Sequence, residues 1–292
     1  MARTLGQPAP SRRRASATWL GLLPFFLFAL LFLILPASFL FLGAFQDPQG
    51  NFTLQNIRDL NQPFIATAYR NSLQVSFVTA VAGGIFGLLL AYSVTLGGLP
   101  RWTRPILATF SGVASNFAGV PLAFSFISTL GRTGILTALI KQAGADLYGS
   151  GFSLYTFAGL SLTYMYFQFP LMVLIMAPAL EGLRREWREA SENLGASTLD
   201  YWRLIALPIL LPSILGTMIL LFGNAFGAYA TAFALTGGTL NLVTILIGAQ
   251  IRGDVLHNPG LGYALAMGMV AIMATSIAAY SWLQRKSERW LR

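Results

Sequence analysis

Cysteine is absent from the 292 residues, and histidine occurs only once. Without cysteine there are no disulfide bonds, thiolate metal sites or cysteine nucleophiles. The one histidine, His257, lies in a loop-like HNPG stretch, which favours a surface role over metal binding. The sequence also lacks an HExxH motif and a GxxxxGK[ST] phosphate loop. It therefore predicts no catalytic residue, no metal site and no ATP hydrolysis by this chain.

Charge is equally scarce, since charged residues make up 10% of the chain and hydrophobic residues 55%. This composition is typical of proteins that cross a membrane several times rather than of soluble globular domains. A net charge of +9 would suggest nucleic acid as the partner of a soluble protein. Here the basic residues cluster between apolar runs, which instead indicates contact with membrane lipids and no nucleic acid.

Six apolar runs are long enough to cross a hydrocarbon core of about 30 Å. The first, residues 19–45, is longer than the apolar part of a signal peptide and is interpreted as a retained helix. In the second run, Gly83, Gly84 and Gly87 favour close approach by a neighbouring helix. The five runs after the first cover about 71–96, 105–130, 152–180, 205–230 and 261–283. A further apolar stretch, 231–254, is broken by two glycines and predicts a bent or re-entrant element.

The basic residues also predict the orientation of the chain. Six spans place both termini on one side, and fourteen of the nineteen Lys and Arg residues fall on that side. By the positive-inside rule that side is cytoplasmic. The predicted organisation begins with a basic N-terminal tail, 1–18, and a first membrane helix, 19–45. A core domain, 67–284, follows and contains a cytoplasmic loop, 181–204. A C-terminal tail, 285–292, ends the chain.

None of the ten acidic residues falls inside a predicted span. Proton-coupled carriers usually keep an ionisable residue at mid-membrane depth as a relay. The absence of one argues against an ion-coupled secondary carrier. A membrane-embedded enzyme and a purely structural scaffold are two further alternatives, and the composition offers little chemistry for the enzyme.

One polar segment, 181–208, interrupts the apolar sequence. Arg185 with Glu189, and Arg188 with Glu192, have the i,i+4 spacing of ion pairs on an exposed helix. Since this segment separates two apolar runs, it is interpreted as a solvated loop or a docking site at the membrane face.

The same segment contains signals for the end of one helix and the start of another. Gly195 can adopt a positive φ and end the first helix. Ser197 or Thr198 can cap a second helix that has Asp200 in its first turn. The sequence therefore predicts two short helices joined at a glycine.

The order Glu189-Ala190-Ser191, three residues, Gly195, nine residues, Ile205-Ala206-Leu207-Pro208 resembles the EAA loop of permease subunits in binding-protein-dependent ABC importers. Only Ser191 departs from the family pattern, in place of a second alanine. The resemblance implies a MetI-like permease fold in the inner membrane. It also implies that loop 181–204, called the coupling loop below, fits a groove on a separate ATPase subunit. In that reading Glu189, Ala190 and Ser191 form the docking surface and Gly195 the bend.

The resemblance further implies the partners and the mechanism. The subunit would pair with a second permease or a copy of itself, bind two ATPase subunits that hold ATP and Mg, and receive substrate from an extracytoplasmic binding protein. Transport would follow alternating access. The NFTLQNI and NSLQVSFVTA segments are most similar to spermidine/putrescine permeases and imply a polyamine substrate. Permeases for iron(III), thiamine, sulfate, molybdate and phosphonate have the same general build.

Three amide side chains lie inside predicted spans, where an unpaired amide in hydrocarbon is costly. These are Asn116, Gln168 and Asn224. They are the candidates for the translocation pathway, and the alternative is that each one only joins neighbouring helices.

Overall fold

The computed structural model describes residues 15–100, 102–253 and 257–288. Residues 1–14 of the predicted N-terminal tail, 1–18, lie outside the described residues, as do residues 289–292 of the predicted C-terminal tail, 285–292. The last helix continues to Glu288, so the first four residues of that predicted tail are helical.

The described residues fold almost entirely into helices. A π-helical turn, Leu30–Ile34, joins the first two, and another, Trp202–Ala206, precedes the eleventh. Among the described residues, one antiparallel β-bridge pairs Gln46 with Phe52. In chain order the helices are α1 (Ala15–Ala29), α2 (Leu35–Ala44), α3 (Gln55–Arg58), α4 (Pro63–Thr95), α5 (Thr103–Asn116), α6 (Gly119–Leu130), α7 (Ile135–Gln142), α8 (Phe157–Glu181), α9 (Arg185–Asn193), α10 (Thr198–Tyr201), α11 (Leu207–Phe226), α12 (Ala230–Thr236), α13 (Val243–Arg252) and α14 (Pro259–Glu288).

Six helical segments in the described ranges are long and apolar enough to cross a membrane, which confirms the predicted all-α, polytopic fold. The first of them has no buried residues in its most apolar window, so its side chains face outward as in contact with lipid. The candidate spans are Gly21–Ala44, Pro63–Thr95, Gly119–Gln142, Phe157–Glu181, Thr198–Phe226 and Pro259–Arg285.

The prediction that the third span covers about 105–130 is wrong. In the structure this segment forms two helices. Helix α5 ends at Asn116 and α6 begins at Gly119. Gly119 has a φ of +76°, a conformation that disfavours residues with a Cβ and cannot continue a helix. The fourteen residues of α5 extend only about 21 Å, which is too short to cross the membrane alone.

Helices α4 and α8 form the centre of the bundle, and α11 packs against both. A Cβ added at Gly83 would lie 2.6 Å from Cβ of Gln168, and one at Gly87 would lie 2.5 Å from Cβ of Met172. This confirms the predicted close approach at the glycines of α4. The predicted bend after α11 is also present, because Gly237 and Gly238 both have positive φ between α12 and α13.

Candidate functional site

The coupling loop leaves the bundle where α8 ends and returns to it through α11. Within it, the Arg185 Nε atom lies 3.1 Å from Oε1 of Glu189, and the Arg188 Nε atom lies 3.0 Å from Oε1 of Glu192. Both i,i+4 pairs predicted from the sequence are therefore confirmed. They stabilise α9 as an exposed helix, each by a few tenths of a kcal/mol.

The turn between α9 and α10 has the predicted chemistry. Gly195 has a φ of +81° and follows the end of α9. Ser197 caps α10, since the Asp200 backbone N–H donates to its Oγ over 3.2 Å. The Asp200 carboxylate accepts the Ser197 backbone N–H over 3.0 Å in return. This reciprocal capping box confirms the helix–glycine–helix arrangement.

The exposed surface of the coupling loop differs in part from the predicted docking surface. Glu189 and Ala190 are exposed. Ser191 is only 5% exposed, and its Oγ donates a hydrogen bond of 2.7 Å to the backbone oxygen of Arg188. The side chain of Ser191 therefore faces the interior, which corrects its placement on the docking surface. A leucine that the motif did not single out, Leu194, is 88% exposed beside the glycine turn.

The remaining motif residues form the return of the loop into the membrane. Ile205 lies in the π-helical turn and is partly buried. Leu207 and Pro208 begin α11 directly after the π-helical turn, which continues the helical path from Thr198. Of these three residues, Ile205 and Pro208 are partly buried and Leu207 is exposed.

Gln168 lies inside the helical bundle. It is fully buried on α8, and its Nε2 donates a hydrogen bond of 2.9 Å to the backbone oxygen of Leu221. A second, longer contact of 3.5 Å reaches Oγ1 of Thr79 on α4. Gln168 thus links three helices at one point.

Asn116 and Asn224 lie near the two places where helices break. Asn116 is the last residue of α5 and is exposed, and its Nδ2 donates to the backbone oxygen of Gly112 over 2.9 Å. Asn224 lines a cavity of about 370 Å³ between the α5–α6 break and the α11–α12 break. Of the three predicted pathway amides, Asn224 is the one the structure places on a cavity wall.

The lining of the cavity contains no Asp, Glu, Lys, Arg or His side chain. Its polar residues are Ser115, Asn224, Tyr229 and Thr231. Ser115 and Thr231 were not predicted as site residues. Each of these residues lies near a helix break that is marked in the sequence by a glycine, Gly119 or Gly227. A broken helix brings backbone groups and short polar side chains to one surface, so the glycines could have pointed to these residues.

Three comparisons place this geometry among known proteins. The family described as "Binding-protein-dependent transport system inner membrane component" matches residues 83–292. The sulfate transport system permease protein CysT of Salmonella typhimurium is 26% identical over 227 residues, covering 78% of each chain. The spermidine/putrescine transport system permease protein PotB of Haemophilus influenzae is 26% identical over 262 residues, covering 85% of each chain.

The fold is similar to that of a bacterial alginate ABC transporter solved in complex with an alginate pentasaccharide-bound periplasmic protein. The TM-score is 0.73 at 15% identity, and the match covers 94% of this chain and 96% of the other. Since the family match spans more than half of the chain, the chain belongs to the family of binding-protein-dependent transport system inner membrane components and is a multi-pass permease subunit of an ABC importer rather than an enzyme.

Proposed function

We propose that the coupling loop, 181–204, is the surface on which a cytoplasmic ATPase dimer binds and drives transport through this subunit. The observation that carries the proposal is the capped helix–glycine–helix unit that connects α8 to α11, with α9 and Gly195 outside the candidate spans. Two exposed leucines, Leu194 at 88% and Leu199 at 75%, flank its turn. Exposed leucines next to a charged helix are typical of an interface whose apolar centre is covered by a partner.

The remaining partners follow from family membership and from the open helix breaks. A second permease or a copy of this chain would complete the pathway, and an extracytoplasmic binding protein would deliver the solute. The loop and both termini would then be cytoplasmic and the protein would lie in the inner membrane. ATP and Mg would be held by the ATPase partner, with no cofactor bound by this chain.

For the substrate we infer a small oxyanion, such as sulfate, passing beside Asn224. The lining of the cavity offers neutral hydroxyl and amide groups and no carboxylate. An oxyanion can accept hydrogen bonds from the hydroxyl and amide donors of this lining. A sulfate permease is among the relatives, in agreement with this inference.

A polyamine is the second candidate substrate. It is favoured by the NFTLQNI and NSLQVSFVTA segments and by the similarity to PotB over 262 residues. Uptake into proteoliposomes that contain the purified importer distinguishes the two. Labelled sulfate and labelled spermidine are offered separately with ATP inside the vesicles. ATP-dependent sulfate uptake supports the oxyanion, and ATP-dependent spermidine uptake without sulfate uptake supports the polyamine.

The coupling role is tested at Gly195, where a Cβ would meet no other atom within 4 Å. Any effect of substitution there must come from the positive φ or from the outer surface. Gly195→Val strains the left-handed turn by about 1–2 kcal/mol. Gly195→Asp adds a negative charge beside Glu189 and Glu192, and Gly195→Asn is its neutral match that tolerates positive φ.

We expect the Val and Asp variants to lose co-purification of the ATPase and ATP-driven uptake, while the Asn variant keeps most of both. All three should be recovered from the membrane in wild-type amounts, because the turn lies outside the spans. Normal uptake by both the Val and the Asp variant would overturn the assignment of the coupling loop.

A further inference from the structure

Arg104, in the first turn of α5, contacts two other helices at once. Its Nε donates to the backbone oxygen of Val94 over 3.2 Å, and its Nη2 donates to the backbone oxygen of Thr95 over 2.5 Å. These are unpaired carbonyl groups at the C-terminal end of α4, which carries partial negative charge. The guanidinium therefore fastens the start of α5 to the end of α4.

The same guanidinium reaches the first residue of the coupling loop. Its Nη1 lies 3.9 Å from Oε1 of Glu181, the last residue of α8. Both side chains are about half exposed, at 46% and 56%. An ion pair of this length and exposure is weak and is easily made or broken. Its two backbone hydrogen bonds hold Arg104 on α4, so Glu181 is the partner that is free to move.

The far end of the coupling loop returns to the same turn of α4. The ring of Trp202, which directly follows α10, contacts the ring of Tyr92 edge-on, with 5.3 Å between centroids and 79° between planes. Leu183, just after Glu181, and Trp202 also pack against one buried cluster that includes Ala91. One end of the loop therefore contacts the last turn of α4, residues 91–95, directly through Trp202, and the other end reaches it through Arg104.

A cavity lies beside the ion pair. It measures about 370 Å³ and has largely apolar walls from α4, α5 and α8, including Ala91, Leu107 and Ala177. Well-packed interiors resist displacement, whereas a gap between helices leaves room for one to shift against the others. The space allows the end of α8 to approach or leave α4 and α5 without a clash.

We propose that the last turn of α4, residues 91–95, receives the movement of the coupling loop, with Arg104 and Tyr92 as the positioning residues that transmit it. This inference rests on the proposed binding of an ATPase to the loop. When the loop moves, the ion pair between Glu181 and Arg104 forms or breaks at one end, and Trp202 pushes on Tyr92 at the other. Helix α4 is continuous over 33 residues and packs tightly on α8 at Gly83 and Gly87, so a displacement of its end is carried into the bundle.

The test separates transmission from docking by measuring solute uptake per ATP hydrolysed in proteoliposomes containing the whole importer. Glu181→Gln removes the ion pair, and Trp202→Leu removes the ring contact while keeping an apolar side chain. A double variant removes both connections. Ser93→Ala, on the exposed side of the same turn, and Arg58→Gln, at the end of α3 before α4 begins, are the matched controls.

We expect each single variant to lower uptake per ATP several-fold and the double variant to lower it at least tenfold. The ATPase should still co-purify and hydrolyse ATP in all of them, and the two controls should behave as wild type. Arg104→Lys should also reduce the ratio, because an ammonium group cannot reproduce the planar fork that holds two carbonyls and a carboxylate.

Two results would overturn the inference. One is an unchanged uptake per ATP in the double variant. The other is loss of ATPase co-purification in the double variant, which would mean that these contacts shape the docking surface instead of transmitting its movement. Failure of the proposed function is a separate outcome, since it would appear as normal uptake by Gly195→Val and Gly195→Asp in the same assay.

Discussion

The backbone N–H of Gly119 donates a hydrogen bond of 2.7 Å to Oγ1 of Thr231, joining two helix breaks that are 112 residues apart in the chain. Gly119 starts α6 after the first break, and Thr231 lies in the first turn of α12 after the second. This hydrogen bond joins the two breaks beside the cavity that Asn224 lines.

Replacing Thr231 by valine should destabilise the protein. Thr231 is 2% exposed, so Thr231→Val keeps the shape but removes the hydroxyl and leaves the N–H of Gly119 without its acceptor. The expected loss is about 1–3 kcal/mol of unfolding free energy. It is measured as a lower thermal unfolding midpoint in detergent. Thr231→Ser keeps the hydroxyl and is the control, and equal midpoints for Val and Ser would contradict the role of the hydrogen bond.

A negative charge at Asn224 should oppose an oxyanion. Asn224→Asp has nearly the same shape but places a carboxylate on the cavity wall. Sulfate uptake should fall about tenfold or more, which corresponds to about 1.4 kcal/mol of repulsion. Asn224→Ser, which shortens the side chain but remains neutral, should lose less. Equal or faster sulfate uptake by the Asp variant would exclude an oxyanion pathway at this wall.

A methyl group at Gly87 should force α4 and α8 apart. In Gly87→Ala the new Cβ would lie 2.5 Å from both the backbone oxygen of Phe169 and Cβ of Met172. Overpacking of this kind costs about 1–3 kcal/mol and should lower the unfolding midpoint. Gly112→Ala in α5 is the matched control, because its Cβ meets nothing within 4 Å and alanine favours helix by about 0.5–1 kcal/mol. A destabilised Gly112→Ala protein with a normal Gly87→Ala protein would contradict the observed packing.

Gln168→Leu distinguishes an amide that joins helices from one that contacts substrate. The variant loses the hydrogen bond to Leu221 O, while it also removes an Oε1 atom that has no hydrogen-bond partner among the described residues. We expect a change of about 1 kcal/mol in unfolding free energy and an unchanged uptake rate per folded molecule. Uptake that disappears at unchanged stability would return Gln168 to the pathway.

The sequence alone determined the features that depend on neighbours along the chain. Apolar runs of sufficient length define the spans, since length and hydropathy decide whether a helix can cross a membrane. The ion pairs of α9, the positive φ of Gly195 and the capping box at Ser197 depend on residues at most four positions apart. Local spacing was therefore enough to predict the helices, ion pairs and glycine turn of the coupling loop.

Only the tertiary structure decided which side each residue faces. Gln168 and Asn224 are both amides inside predicted spans, yet Gln168 is buried against residues 53 and 89 positions away and Asn224 lines the cavity. Ser191 was predicted to lie on the docking surface and is buried in the structure. The contacts of Arg104 with α4 and α8 depend on packing between distant segments, as does the rotation of each helix about its axis. Because the spans are almost uniformly apolar, their sequences have little periodicity from which that rotation can be predicted.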